Sequence, residues 1–145
     1  MKFSQTSLRK LQTTHQDLQD IFLEAIKFTP IDFGISEGLR TAEKQLEHYK
    51  KGRKWDGAKW IIEDASKIVT YKDGTIKKSK HQSGLAVDVF AWVNGKLSYK
   101  KRHMGMIAGV VLSVAERRGL NVRWGGTFGS NDFDGWDMPH FELIQ

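Results

Sequence analysis

A chain of 145 residues, 39% hydrophobic and 28% charged, has room for one domain around a single core. It has no cysteine, which excludes disulfides and thiolate metal sites, and no run apolar enough to cross a bilayer; its N-terminus, Met1 to Ser7, is too polar for a signal peptide. The net charge of +6 favours anionic partners such as nucleic acid, acidic membranes or acidic wall polymers, although the clusters Lys50-Lys51-Gly52-Arg53-Lys54 and Lys77-Lys78-Ser79-Lys80 each read first as solvated loops.

Apolar residues recur at helical spacing from Ser7 to about Phe28, with a break near Thr13-Thr14 and a stop at Pro30. Ile31 to Ser36 alternates as a half-buried strand. Thr41 caps a predicted helix that runs to about Lys51, with Gly52 at its end. Arg53 to Lys80 is the least regular part; Lys67-Ile68-Val69-Thr70 is predicted as a short strand and Lys72-Asp73-Gly74-Thr75 as a turn. A connection this long points to a substrate-binding or lid role. Leu85 to Val93 reads as a strand, and Asn94-Gly95 turns it into a second over Lys96 to Tyr99. Met104 to Arg118 is a helix closed by Gly119, with Met104, Ile107, Ala108, Val111, Leu112 and Ala115 inward. Asn121 to Trp124 and Pro139 to Leu143 are strands around a Gly- and Asp-rich loop. This order predicts an α+β fold, a small antiparallel sheet flanked by helices, in one domain over 1–145.

Ser79-Lys80-His81-Gln82-Ser83-Gly84-Leu85-Ala86-Val87-Asp88 places an imidazole and a carboxylate on either side of a glycine turn. Trp136-Asp137-Met138-Pro139-His140-Phe141-Glu142 supplies another of each. His81, Asp88 and His140 as ligands, with Asp137 spare, make the set a catalytic zinc needs: three protein ligands, an open position and a nearby base. Singly, each reads first as part of a hydrogen-bonded His–Asp pair that satisfies a buried polar group, and it is the two motifs together that point to zinc. Strand alternation puts Asp88 on the face of the small Ala86, which leaves room for a metal. Pro139 holds Met138 extended, so Asp137 and His140 are not a helical pair. Asp137 is then read as a general base raised by Trp136 and Trp124, with a fourth ligand or a turn cap as alternatives. Arg40 stands between a strand and a helix, where it either binds a substrate carbonyl or carboxylate or makes a surface salt bridge. Glu142 shares a face with His140, to orient it or to pair with Arg123. His15, His48 and His103 have no motif around them and are read as surface residues. Ser130 to Gly135 has alternating acids but lacks the bidentate Glu of a calcium loop and is read as a solvated turn.

Ser79-x-His81-x-x-Gly84-x-Ala86-x-Asp88 followed by Asp137-x-x-His140 resembles the signature of zinc peptidases related to D-Ala-D-Ala carboxypeptidases and vancomycin-resistance dipeptidases. Within that group it is most similar to phage endolysins that act as L-alanyl-D-glutamate peptidases, whose final motif has Asp where the dipeptidases commonly have Glu. The resemblance covers nearly the whole chain, including Gly38-x-Arg40-x-x-x-x-Gln45. It implies a hedgehog/D-Ala-D-Ala-peptidase-like fold, zinc on His81, Asp88 and His140, Asp137 as base, and Arg40, Gln45 and Ser79 toward the substrate. It further implies a peptidoglycan-hydrolysing endolysin that cuts the L-Ala–D-Glu bond. Such endolysins often carry a separate wall-binding domain, for which 145 residues are expected to leave no room; the chain is expected to act as a monomer and, without a signal peptide, to wait in the host cytoplasm until released to the wall. The alternative within the fold is a D-Ala-D-Ala carboxypeptidase. A nucleic-acid module would use the charge and the tryptophans but leaves the paired His/Asp motifs unexplained. A glycosidase would need two carboxylates across a cleft and no metal.

Overall fold

The computed structural model describes residues 1–145. Helices α1 (Gln5–Leu11) and α2 (Gln16–Phe28) are separated where the sequence predicts a break. Thr13 and Thr14 turn their hydroxyls back onto the carbonyls of Lys10 and Leu11, both at 2.6 Å, and so close the first helix. His15, expected as an idle surface residue, starts the second: its Nδ1 accepts from the Asp17 amide at 3.0 Å. The chain continues through β1 (Asp32–Glu37) and α3 (Ala42–Lys50), which Thr41 caps. It then forms a separate ribbon of β2 (Arg53–Trp55) and β3 (Trp60–Ile62). Strands β4 (Ala86–Val93) and β5 (Lys96–Ser98) flank the Asn94-Gly95 turn, where both residues take positive φ, 53° and 72°. Helix α4 (Lys101–Arg117) and strands β6 (Val122–Trp124) and β7 (His140–Leu143) complete the chain.

The main sheet is antiparallel, in the order β1-β4-β7-β6, with β5 beside the far end of β4. Alternation divides it into two faces. Val87, Val89, Ala91, Phe33, Ile35, Phe141 and Leu143 join the apolar sides of α2 and α4 in one contiguous core. On α4 the inward positions include Val114, while Leu112, expected inward, is only half-buried. Phe141 is fully buried, edge-on to Phe22 and stacked near Trp124. It fixes the strand that carries His140 and Glu142 on its other face. Truncating such a phenylalanine to alanine costs about 3–5 kcal/mol and would loosen that strand.

The segment from 53 to 80 departs from expectation. Lys67 to Thr70 is not a strand; a short 3-10 turn over Ala65–Lys67 leads into irregular extended chain. The paired strands lie earlier, at β2 and β3, whose three-residue runs carry too little alternation to stand out. The turn at Asp73 forms as predicted, with its carboxylate accepting from the amides of Thr75, Ile76 and Lys77. No helix is long and apolar enough to cross a membrane.

Candidate metal centre and cleft

The residues on the second face of the sheet build the site. Asp88 on β4 stands directly across from His140 on β7, and Ala86 from Glu142. A bulge in β1 between Ile35 and Glu37 inserts one residue and brings Glu37 opposite Asp88. His81 comes from a 3-10 turn, Lys80–Ser83, capped by Ser79 and ended by Gly84 at φ +71°, a conformation that suits glycine. That turn folds His81 back over the sheet, so the sequence spacing closes into contact.

His81 Nε2 lies 3.2 Å from Asp88 Oδ1, and His140 Nδ1 lies 3.1 Å from the same oxygen. The three ligand atoms fall within 4.8 Å of one another and form a group that could hold a metal ion. Ligands on a tetrahedral zinc at about 2.0–2.1 Å stand roughly 3.3 Å apart, so the spacing suits such an ion. The tautomers suit it as well. His81 Nδ1 donates to the Gly38 carbonyl at 2.9 Å, which leaves Nε2 as the bare lone pair. Nε2 is buried, lies off the line of a hydrogen bond to Asp88, and has no hydrogen-bond partner. An orphaned acceptor aimed at a carboxylate is satisfied by a cation between them. His140 Nε2 donates to Glu142 Oε1 at 2.9 Å, which turns its Nδ1 toward Asp88 Oδ1 and the centre of the group. Glu142 thus orients the imidazole, and it also faces Arg123 across the β6–β7 pairing.

The charges here are strongly coupled. Burial disfavours the ionised Asp88 carboxyl, yet the hydrogen bond from His140 and the closeness of both imidazoles outweigh it and hold the group well below the usual carboxylate range. Burial likewise opposes a charged His140, but Asp88, Glu142 and Asp137 raise the imidazole to about 9. The hydrogen bond from His140 lowers Glu142. Three carboxylates around one point demand positive charge, which a protonated His140 supplies in the metal-free chain and a divalent cation would supply better.

Asp137 lies outside the trio, with Oδ2 3.8 Å from His140 Nδ1. Its burial lifts the carboxyl to about 6, with Asp88 adding to the rise and His140, His81 and Arg40 opposing it. The expected contribution of Trp124 is indirect: this indole points into the core, and its N–H donates to the Met138 carbonyl at 2.6 Å. Trp136 is largely exposed at the rim, tilted against Phe128, which in turn lies against the His140 ring.

Arg40 forms the opposite wall. Its guanidinium is held by Glu37 and by Gln45 Oε1, the latter at 2.6 Å, and its Nη2 stands 3.8 Å from Asp88 Oδ2. Gln45, expected toward the substrate, is fully buried. Its amide nitrogen donates to the Lys72 carbonyl at 2.7 Å and lies 3.3 Å from the Thr70 hydroxyl, so its side chain is spent on protein partners. Arg40, Ser79, His81, Asp88, Asp137 and His140 all line one cleft of about 140 Å³, together with Val69, Thr70, Lys72 and Phe128. Ser79 also borders an adjoining polar hollow of about 540 Å³ with Thr75, Lys78 and Gln82. The sequence reading missed Glu37 and Phe128, which have no motif: a bulge delivers the first and a loop the second.

A His–Asp–His trio that could hold a metal ion, a carboxylate set beside it and an anchored arginine across the cleft are the groups that metal-assisted hydrolysis requires. A family model described as phage L-alanyl-D-glutamate peptidase matches residues 1–144, and the chain belongs to that family. It is 25% identical to the L-alanyl-D-glutamate peptidase of Escherichia phage T5, over 99% of this chain and 98% of that protein. Its fold is similar to the crystal structure of the Serratia marcescens L-Ala D-Glu endopeptidase ChiX, with a TM-score of 0.72 and 28% identity over 99% of this chain and 90% of that one.

Proposed function

We propose that the chain is a zinc-dependent endolysin that hydrolyses the L-Ala–D-Glu bond of peptidoglycan stem peptides, through a single catalytic domain. The observation that carries the chemistry is the unpartnered Nε2 of His81 facing Asp88 and His140. The family and both relatives, named for this same bond, support its choice over the carboxypeptidase alternative.

His81 Nε2, Asp88 Oδ1 and His140 Nδ1 would hold the ion, with the Gly38 carbonyl and Glu142 fixing the two rings behind them. Zinc suits a site with two imidazoles, one carboxylate and no thiolate. When bound, it supplies a Lewis acid that polarises a carbonyl and makes water nucleophilic near neutral pH. Asp137 takes the proton of the attacking water on its carboxylate and hands it to the leaving amine. Its position beside the trio leaves both oxygens available for that transfer. Arg40 presents its guanidinium to the oxyanion, and one such donor is worth roughly 3–4 kcal/mol in comparable sites. Gln45 acts through Arg40, because it is buried against that guanidinium. Ser79 holds the His81 turn, its hydroxyl accepting from the His81 amide at 3.2 Å, and borders the path along which an extended peptide would leave the cleft.

The test is to digest purified Gram-negative peptidoglycan and identify the new termini by mass spectrometry. New N-terminal D-Glu, with L-Ala left on the muramic acid, is the expected result. Released terminal D-Ala would move the protein to the carboxypeptidase reading, and new reducing sugar ends with intact stems would overturn the peptidase assignment.

A further inference from the structure

The net charge is not spread over the chain. Residues 50–80 carry ten Lys and Arg against four Asp and Glu, an excess of six that equals the +6 of the whole chain, and the remainder is balanced. The same stretch exposes apolar side chains that nothing covers: Trp55 and Ile62 are each 52% exposed on the ribbon, and Tyr71 is 65% exposed beyond it. A two-stranded ribbon is marginal by itself and gains nothing from displaying tryptophan to water, so such a display marks a contact surface.

The ribbon is built onto the cleft. Arg53 stacks on Tyr49 at 4.0 Å and donates through Nη1 to the carbonyls of Tyr49 and Thr70, at 2.6 and 2.9 Å. Thr70 lines the cleft, and its hydroxyl meets Gln45, the residue that anchors Arg40. Trp55 pairs across the ribbon with Trp60, ring centroids 5.5 Å apart and edge to face, while the Lys50 ammonium lies 5.3 Å from the Trp60 ring. Lys54 in β2 and Lys59 just before β3 flank the turn of the ribbon, both exposed.

We infer that the β2–β3 ribbon is an extended substrate-docking surface that grips the peptidoglycan polymer beyond the scissile stem. The Trp55 ring takes the apolar face of a sugar, and Lys54 and Lys59 take carboxylates of neighbouring stems. This rests on the peptidoglycan reading above. The polymer repeats both sugar rings and carboxylates, which matches the aromatic and cationic groups of the ribbon. A surface continuous with the cleft wall touches what the cleft holds, whereas a membrane seated on the ribbon would crowd the cleft mouth.

The experiment compares Trp55→Ala and the double variant Lys54→Ser/Lys59→Ser with the unmodified ribbon. Binding is read by co-sedimentation with purified sacculi, on the 145-residue chain that also carries Asp137→Asn so that nothing is digested. Turnover is read on sacculi and on a soluble L-Ala-γ-D-Glu-diaminopimelate tripeptide. Trp55→Ala should bind sacculi roughly tenfold more weakly, the scale of one aromatic face newly buried; the lysine variant should also bind more weakly, and each should lose about as much more rate on sacculi than on tripeptide as it loses in binding. The lysine variant should also show a shallower fall of binding with salt. Unchanged sedimentation, or equal losses on both substrates, overturns the inference. So does tight binding to phosphatidylglycerol vesicles that Trp55→Ala abolishes while sacculus binding persists, which would assign the ribbon to a membrane. If the unmodified chain cuts neither substrate, the peptidase reading fails, and sedimentation still decides the docking surface.

Discussion

Asp88 Oδ1 lies 3.1 Å from His140 Nδ1, and the two residues are direct partners in the antiparallel β4–β7 register. A metal held between paired strands of a core sheet would inherit the rigidity of that sheet. One zinc per chain is therefore expected by elemental analysis, and His140→Ala should abolish it together with activity. Glu142→Gln should keep the stoichiometry at saturating metal but weaken affinity by about 10–100-fold, because it removes the charge that orients His140. A Glu142→Gln chain with unaltered affinity would show that the orientation of His140 comes from elsewhere.

Asp137→Asn should retain the metal and lose turnover by roughly 10²–10⁴-fold, the usual worth of a positioned base. The carboxylate stands outside the trio, 3.8 Å from His140 Nδ1, and an amide in its place cannot accept the proton. Metal content and rate are to be measured on the same sample. Loss of zinc would make Asp137 a ligand, and near-normal rate would place the base on another residue.

Gln45→Leu keeps the bulk of a fully buried side chain and deletes its hydrogen bonds. The Lys72 carbonyl loses its donor and Arg40 loses one of its two anchors. Unfolding in urea should show a loss of about 1–3 kcal/mol. Turnover should fall further than the population of folded protein does, because Arg40 is left on Glu37 alone. A variant with normal rate per folded molecule would mean that Glu37 suffices.

Much of this was legible in the sequence. The two motifs singled out His81, Asp88, Asp137 and His140, and the structure brings all four to one cleft; imidazole and carboxylate are chemically distinctive and their separations are short within each motif. Strand alternation alone put His140 and Glu142 on one face, and the structure joins them through a hydrogen bond. Three things were hidden. The bulge that swings Glu37 toward Arg40 is a register event between strands 50 residues apart, with no local mark. Burial of Gln45 depends on the irregular chain at Thr70 and Lys72, whose path local propensity does not determine. Trp124 and Trp136 look alike as residue types, yet one packs in the core and the other rims the cleft, a difference set by the tertiary path of the 125–135 loop.

Two glycines should respond in opposite directions to alanine. Gly105 lies inside α4, and a Cβ there would meet nothing within 4 Å. Alanine in a helix interior is favoured over glycine by about 0.5–1 kcal/mol, so Gly105→Ala should raise the thermal midpoint and leave activity alone. Gly125 lies against the backbone of Asp137: a Cβ there would stand 1.7 Å from the Asp137 carbonyl oxygen and 2.6 Å from its carbon. Neither atom belongs to a flexible side chain that can step aside. Gly125→Ala must therefore push the Asp137 segment away and should cost both stability and rate, even at temperatures where the variant remains folded. The pair is to be compared by thermal unfolding and by turnover at a temperature below both midpoints. If Gly125→Ala is as active and as stable as Gly105→Ala, the close packing that sets Asp137 beside His140 is wrong.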